Sequence, residues 1–273
     1  MSQEINATYA NCVPADPYCF AFCKDEILMK HTGSGLCVPL ASDLADLSLQ
    51  KAATPSLGQL DGRAYYAATV TKDQAPDGFS FFVLRRLYGQ IHNEWFWQAF
   101  RAYHITNWLK STQFCGRCGS PLSLDNHELA MKCANCGNMI YPRLSPAIIV
   151  AVTRGDKLLL ARNRMRPELY SVIAGFVEPG ETLEDCVQRE LMEEVGVKVT
   201  DITYFGSQPW PFPDSLMIGF TAKAVSDSIR IDNNEIIEAA WFSADQLPAI
   251  PPSVSIGRRL IDWFANNNQK GKF

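Results

Sequence analysis

Three glutamates, Glu190, Glu193 and Glu194, follow Arg189 at i, i+3 and i+4 spacing. On a helix that spacing crowds three carboxylates onto one arc, where like charges repel unless a cation neutralises them. Oxygen-only donors select a hard ion, Mg2+ or Mn2+, which is commonly shared between a few carboxylates and substrate phosphates. A second constellation is made of thiols. Cys115-Gly-Arg-Cys118 and Cys133-Ala-Asn-Cys136 are two C-x2-C knuckles fourteen residues apart, each followed by a glycine. Four thiolates close a tetrahedral Zn2+ shell with no open position, so this zinc is structural and His127 finds no vacancy in it. Around the knuckles, Arg117, Lys132 and Arg143 are offset by Asp125 and Glu128. That balance favours a scaffold over an autonomous nucleic-acid module.

The glutamates need a helix, and the sequence marks both of its ends. Pro179-Gly180 is a turn, Thr182 followed by Asp185 reads as an N-cap, and Gly196 suits a left-handed C-terminus. Leu183, Val187, Leu191 and Val195 form an apolar stripe between those signals. A bidentate pair between Arg189 and Glu181 would orient the preceding loop.

Taken together, Gly175 to Val197 reads G-x5-E-x7-R-E-U-x-E-E-x-G-U, with U aliphatic. This resembles the Nudix box with every specified position filled. The resemblance implies an α/β/α sandwich around a mixed sheet, and metal-assisted attack of water on a nucleoside diphosphate linked to another group. A second stretch, Ser207-Gln-Pro-Trp-Pro-Phe-Pro-Asp-Ser215, is similar to the motif of the NADH pyrophosphatases, the NudC-like branch of the Nudix hydrolases. Its prolines predict a stiff loop that holds Trp210 and Phe212.

The order of parts resembles that branch over essentially the whole chain, although the first hundred residues match only in general plan. The resemblance implies that Glu190, Glu193, Glu194 and the distal Glu235 hold divalent ions, with Glu238 the alternative to Glu235. It places Tyr141 and Phe176 beside the nicotinamide and Ser207 and Gln208 against the substrate. It also puts a backbone contact at Gly257, where the branch usually has alanine. Glu194 or Glu235 would take the proton from water, and a homodimer is implied.

The elements that carry these residues follow from patterning. Tyr141-Pro-Arg-Leu-Ser-Pro146 is an extended connection. Strands are predicted at Ala147–Thr153, Lys157–Arg162, Ser171–Ala174, Val199–Phe205, Leu216–Ala224 and Ile236–Phe242, with a last helix at Val254–Asn266. Arg162, Arg164 and Arg166 read equally well as a solvated loop or as a loop facing phosphate. Upstream, Arg63–Val70 and Phe79–Leu84 read as strands around an Ala75–Gly78 turn, Ser42–Leu49 as strand or short helix, and Trp95–Leu109 as a helix. Cys12, Cys19, Cys23 and Cys37, with His31, His92 and His104, fit no metal spacing and read as structural thiols and surface imidazoles.

The expected architecture is α+β: an N-terminal α+β domain at 1–110, a four-Cys zinc ribbon at 111–141 and a Nudix domain at 142–273. A net charge of −4 gives no global field for nucleic acid. The first residues carry acid with no apolar run behind them, so no secretion signal is expected. No apolar run is long enough to span a bilayer. Nine cysteines, four of them in a metal pattern and five left over, fit a reducing cytoplasm better than a disulfide scaffold.

Free NADH, and less readily NAD+, is the leading substrate reading, with cleavage at the pyrophosphate to NMNH (or NMN) and AMP. The same chemistry on a larger partner would remove the NAD cap from RNA 5′ ends. ADP-ribose or diadenosine polyphosphates are the alternatives if the Pro-rich motif misleads. A ribbon protein with an inactive Nudix fold used as a ligand sensor is the non-enzymatic reading.

Overall fold

In a computed structural model of the chain, residues 16–45, 49–50, 54–70 and 75–269 are described; Cys12 and Leu47 lie outside them. The chain divides into two compact units, Met1–Pro142 and Arg143–Phe273.

The first unit holds β1 (Tyr18–Cys23), β2 (Glu26–Thr32), β3 (Gly35–Cys37), β4 (Leu49–Gln50), β5 (Gly58–Leu60), β6 (Arg63–Val70), β7 (Phe79–Val83) and helix α1 (Asn93–Ser111). The strands form one mixed sheet in which β1 and β6 run parallel and β2 carries both β3 and β7. Where strand or helix was open, Ser42–Leu44 is a single 3-10 turn. The expected turn before β7 ends at Gly78, whose φ of +81° favours glycine. Helix α1 buries Phe96, Ala99, Phe100, Tyr103 and Trp108, and its acid, Glu94, stands alone. No carboxylate arc comparable to residues 190–194 exists on it. Strands β8 (Leu122–Leu124), β9 (Met131–Cys133) and β10 (Met139–Ile140) make a separate small antiparallel sheet that carries the cysteine knuckles.

The second unit contains β11 (Ser145–Arg154), β12 (Lys157–Asn163), β13 (Tyr170–Ser171), β14 (Ile173–Phe176), α2 (Leu183–Val195), β15 (Val199–Trp210), β16 (Ser215–Ala224), β17 (Ile236–Ser243) and α3 (Ile256–Gln269). Its sheet runs β13-β12-β11-β16-β15, with β14 on β11 and β17 on β12; the β11–β16 pair is parallel. Alternation along β11 builds both layers. Ile148, Val150 and Val152 pack with Val187, Leu191 and Val195 of α2, while Ile149 and Ala151 pack with Leu260, Ile261 and Phe264 of α3. A strand covered on both faces reads as a continuous apolar run, as Ala147–Val152 does. This is the expected α/β/α sandwich.

One expectation fails in detail. Ser207 to Trp210 is not loop but the end of β15, paired with Ser215–Ile218 of β16, so the motif is a hairpin whose turn is 211–214. Prolines are tolerated there because β15 is the edge of its sheet, where a missing N–H breaks no ladder.

Candidate active site

Helix α2 begins with a reciprocal capping box. Thr182 Oγ1 accepts from the Asp185 amide at 3.1 Å, and Asp185 Oδ2 accepts from the Thr182 amide at 3.4 Å. Gly196 ends it in the left-handed region at φ +66°. Burial of Val187, Leu191 and Val195 turns the glutamate arc to one side, yet its members are not equivalent. Glu193 is exposed, Glu190 half-buried, and Glu194 only 7% exposed.

Arg189 is the hub of the box. Its Nε and Nη2 donate to Glu181 Oε1 and Oε2 at 2.5 and 3.0 Å, the fork predicted from the sequence. Nη1 donates to Glu190 Oε1 at 2.8 Å and Glu193 Oε2 at 3.0 Å, and Nη2 also reaches the Phe176 carbonyl at 2.9 Å. One guanidinium thus ties the loop before α2 to two of the arc's carboxylates. The Arg189 fork, then the Glu178 amide, hold the Glu181 carboxyl down to about 2.

Glu194 behaves in the opposite way. Burial, and then the charges of Glu190, Glu235, Asp232 and Glu193, push its carboxyl up to about 8. Glu190 is raised by burial too, against the pull of Arg189. Asp232, missed in the sequence, explains how Glu235 joins this group. Its carboxylate accepts from the Glu235 and Ile236 amides, each at 3.0 Å, while its own amide donates to the Glu194 carbonyl at 3.1 Å. The only sequence signal was an Asp three residues before a Glu, a common turn pattern. The four glutamates do not draw together as closely as the ribbon thiols. Among the described residues, the ligand atoms that converge within 4.8 Å are those of the four cysteines. Arg189 draws Glu190 and Glu193 to itself, and repulsion opposes closer approach.

Beside Glu194 lies a cavity of about 390 Å³, within the range of small-molecule sites. Its walls are largely apolar, Ile149, Leu169, Val172 and Ile236 among them, with Asn163, Arg166 and Ser171 as polar groups besides Glu194.

The remaining expected site residues are placed as follows. Phe176 is 55% exposed at the end of β14. Tyr141 belongs to the first unit, where its hydroxyl donates to Glu128 Oε2 at 2.9 Å. Ser207 is exposed, whereas Gln208 is buried with both ends of its amide engaged. Gln208 Nε2 donates to the Val254 carbonyl at 2.7 Å and Oε1 accepts from the Ile256 amide at 2.6 Å, anchoring the start of α3. Gly257, in the first turn of α3, is buried against Ile149, Ser171 and Val172, three residues that line the cavity. Glu238 pairs with Arg162 at 3.1 Å across β12 and β17.

The ribbon's knuckles are duplicates. The Cys115 and Cys133 amides donate to Ser120 and Asn138 carbonyls, and the Gly119 and Gly137 amides donate back to the Cys115 and Cys133 carbonyls. Both glycines have φ near +70°, at +72° and +71°. Cys115 and Cys136 sulfurs stand 3.7 Å apart and those of Cys118 and Cys133 3.5 Å. A tetrahedron with Zn–S bonds of about 2.3 Å has edges of about 3.8 Å, so the four thiols fit a zinc ion.

Comparison with known proteins gives three successive matches along the chain. Residues 17–108 match the NADH pyrophosphatase-like rudimentary NUDIX domain, 110–141 the NADH pyrophosphatase zinc ribbon domain, and 143–264 the NUDIX domain. The NAD-capped RNA hydrolase NudC of Pseudomonas aeruginosa is 44% identical over 211 residues, covering 76% of this chain and 75% of that protein. The protein of the same name from Deinococcus radiodurans is 42% identical over 232 residues, 82% of each chain. A crystal structure of a NUDIX hydrolase from Nitrosomonas europaea overlays with a TM-score of 0.50 at 22% identity, covering 57% of this chain and 93% of that one. That overlay bears on fold alone.

Proposed function

The chain belongs to the NADH pyrophosphatase (NudC-like) family of Nudix hydrolases, and from that premise we propose that it hydrolyses the pyrophosphate of NADH and NAD+, releasing AMP with NMNH or NMN, and removes NAD caps from RNA 5′ ends by the same chemistry. The observation that carries this reading is Glu194, a buried acid that borders the cavity and has Glu190, Glu193, Glu235 and Asp232 as charged neighbours. The donor set is oxygen only, which fits Mg2+ or Mn2+ held by Glu190, Glu193, Glu194 and Glu235. A divalent ion bound there neutralises phosphate charge and lowers the pKa of a coordinated water.

The chain's own residues do the rest. Arg189 and Glu181 fix the loop that presents Phe176, an exposed ring suited to stacking on a flat base. Ser207 and the backbone at Gly257 are our substrate contacts on the β15–α3 side, and Gln208 sets their position. Glu194 or Glu235 accepts the proton from the attacking water. We assign residues 1–110, 111–141 and 142–273 to the N-terminal, ribbon and Nudix domains, and infer a homodimer working in the cytoplasm.

The test is product analysis with Mg2+ or Mn2+, offering NADH, NAD+, ADP-ribose and NAD-capped RNA side by side. Release of AMP from NADH and from capped RNA, abolished in Glu194→Gln with the fold intact, is the expected result. Undiminished turnover in Glu194→Gln would overturn the site, and preference for ADP-ribose would overturn the substrate.

A further inference from the structure

Arg162, Arg164 and Arg166 alternate along one short stretch, and the structure divides them by role. Arg162 is held by the Tyr170 hydroxyl at 2.9 Å and by Glu238, and it stacks over the Tyr170 ring. Arg164 is spent on backbone carbonyls, with Nε on Asn234 at 2.8 Å and Nη2 on Asn233 at 2.7 Å. Arg166 has neither kind of tie. Asn163 builds the turn that presents it: its carbonyl accepts from the Arg166 amide at 3.0 Å and its Oδ1 from the Met165 amide at 2.8 Å. Among the described residues the Arg166 guanidinium makes no hydrogen bond or ion pair, yet its side chain lines the cavity that Glu194 also lines.

Glu194 is the carboxylate that lines this cavity and repels a phosphate when ionised, so an uncommitted cation in the same cavity changes what can enter. The guanidinium is always charged, and its fork matches two phosphate oxygens. Apolar walls such as Ile149, Leu169 and Val172 lower the local dielectric and strengthen that attraction. We propose that Arg166 binds a phosphate of the substrate in this cavity and is a specificity-determining residue for phosphate-bearing ligands. The proposal rests on the pyrophosphatase reading above. The phosphate belongs either to the dinucleotide itself or to the first phosphodiester of a capped RNA.

The variants are Arg166→Met, which keeps the apolar stem, and Arg166→Lys, which keeps charge without the fork. The readouts are the affinity for ADP with Mg2+ by calorimetry, kcat and KM for NADH, and kcat and KM for NAD-capped RNA. A lost charge-assisted contact corresponds to roughly a 10- to 100-fold loss. Because a ground-state contact is removed, that loss is expected in KM with kcat little changed, and Arg166→Lys should fall between. Weakening of ADP, NADH and RNA alike identifies the dinucleotide's own phosphate. Weakening of RNA alone, with a shallower salt dependence, identifies the chain phosphate. Unchanged ADP affinity together with unchanged KM for both substrates overturns the proposal. If the unaltered chain cleaves neither substrate, the pyrophosphatase reading fails by itself, and ADP affinity alone then decides the role of Arg166.

Discussion

Gly175 and Glu190 are in direct contact. A β-carbon added at Gly175 would overlap the Glu190 carboxyl group, so the first glycine of the box is the space in which its second glutamate sits. The glycine is needed for close approach, not for a left-handed backbone. Gly175→Ala therefore displaces the Glu190 carboxyl. Overpacking of this kind costs about 1–3 kcal/mol, and a shift of about 1 Å in a catalytic group can cost about 100-fold in rate. Mn2+ titration and turnover should fall together; wild-type values in both would refute the contact.

The Arg189 fork should tolerate no change of shape. Lysine keeps the charge but cannot bond both Glu181 oxygens and still reach Glu190, Glu193 and the Phe176 carbonyl. Arg189→Lys is expected to lower kcat/KM by about 100-fold through misplacement of the box loop. Steady-state kinetics on NADH checks this, and a loss under twofold would show that charge alone suffices.

Glu194 predicts an unusual pH profile for the metal-free chain. Its pKa stands at about 8 in the folded state against 4.5 ordinarily. A group raised on folding contributes stability that is complete below its unfolded value and is lost as pH rises through the folded value. The metal-free Tm should therefore decline from pH 4.5 to about 8. Divalent-ion affinity should rise over the same window, because binding expels the proton. Glu194→Gln should flatten the decline. Thermal scans with and without Mg2+ decide the matter, and a wild-type Tm that climbs through the window would contradict the burial seen here.

Gln208 predicts a stability effect separable from chemistry. Gln208→Ala strands the Val254 carbonyl and the Ile256 amide. Each buried group left unsatisfied costs about 1–3 kcal/mol. Urea unfolding should show that loss, and a change under about 0.5 kcal/mol would mean water replaces the amide.

For the ribbon, elemental analysis should find one zinc per chain, lost in Cys118→Ser. Structural zinc sites supply about 10–16 kcal/mol of folding free energy in small zinc-finger peptides. Chelation should accordingly open residues 111–141 to proteolysis, and a metal-free ribbon that resists protease would refute the structural role.

What could be read from residues alone was local. The capping box at Thr182 and Asp185, the stripe from Leu183 to Val195, the Arg189–Glu181 pair and the two knuckles all lie within one helix, one loop or one pair of turns. Spacing determines such contacts because a few bonds separate the partners. The sandwich was legible for a related reason, since a strand buried on both faces has a distinct apolar run.

Tertiary structure decided what depends on distant partners. Glu190, Glu193 and Glu194 look alike in sequence, and only the packing of α2 buries the last while leaving Glu193 in solvent. The three arginines divide because Glu238, Asn233 and Asn234 arrive from some seventy residues away to occupy two of them. Gln208 anchors α3 because β15 lies against that helix's first turn, a contact no local pattern encodes. Sequence spacing fixes which side chains share a face; burial and long-range pairing then decide which of them remain free for a substrate.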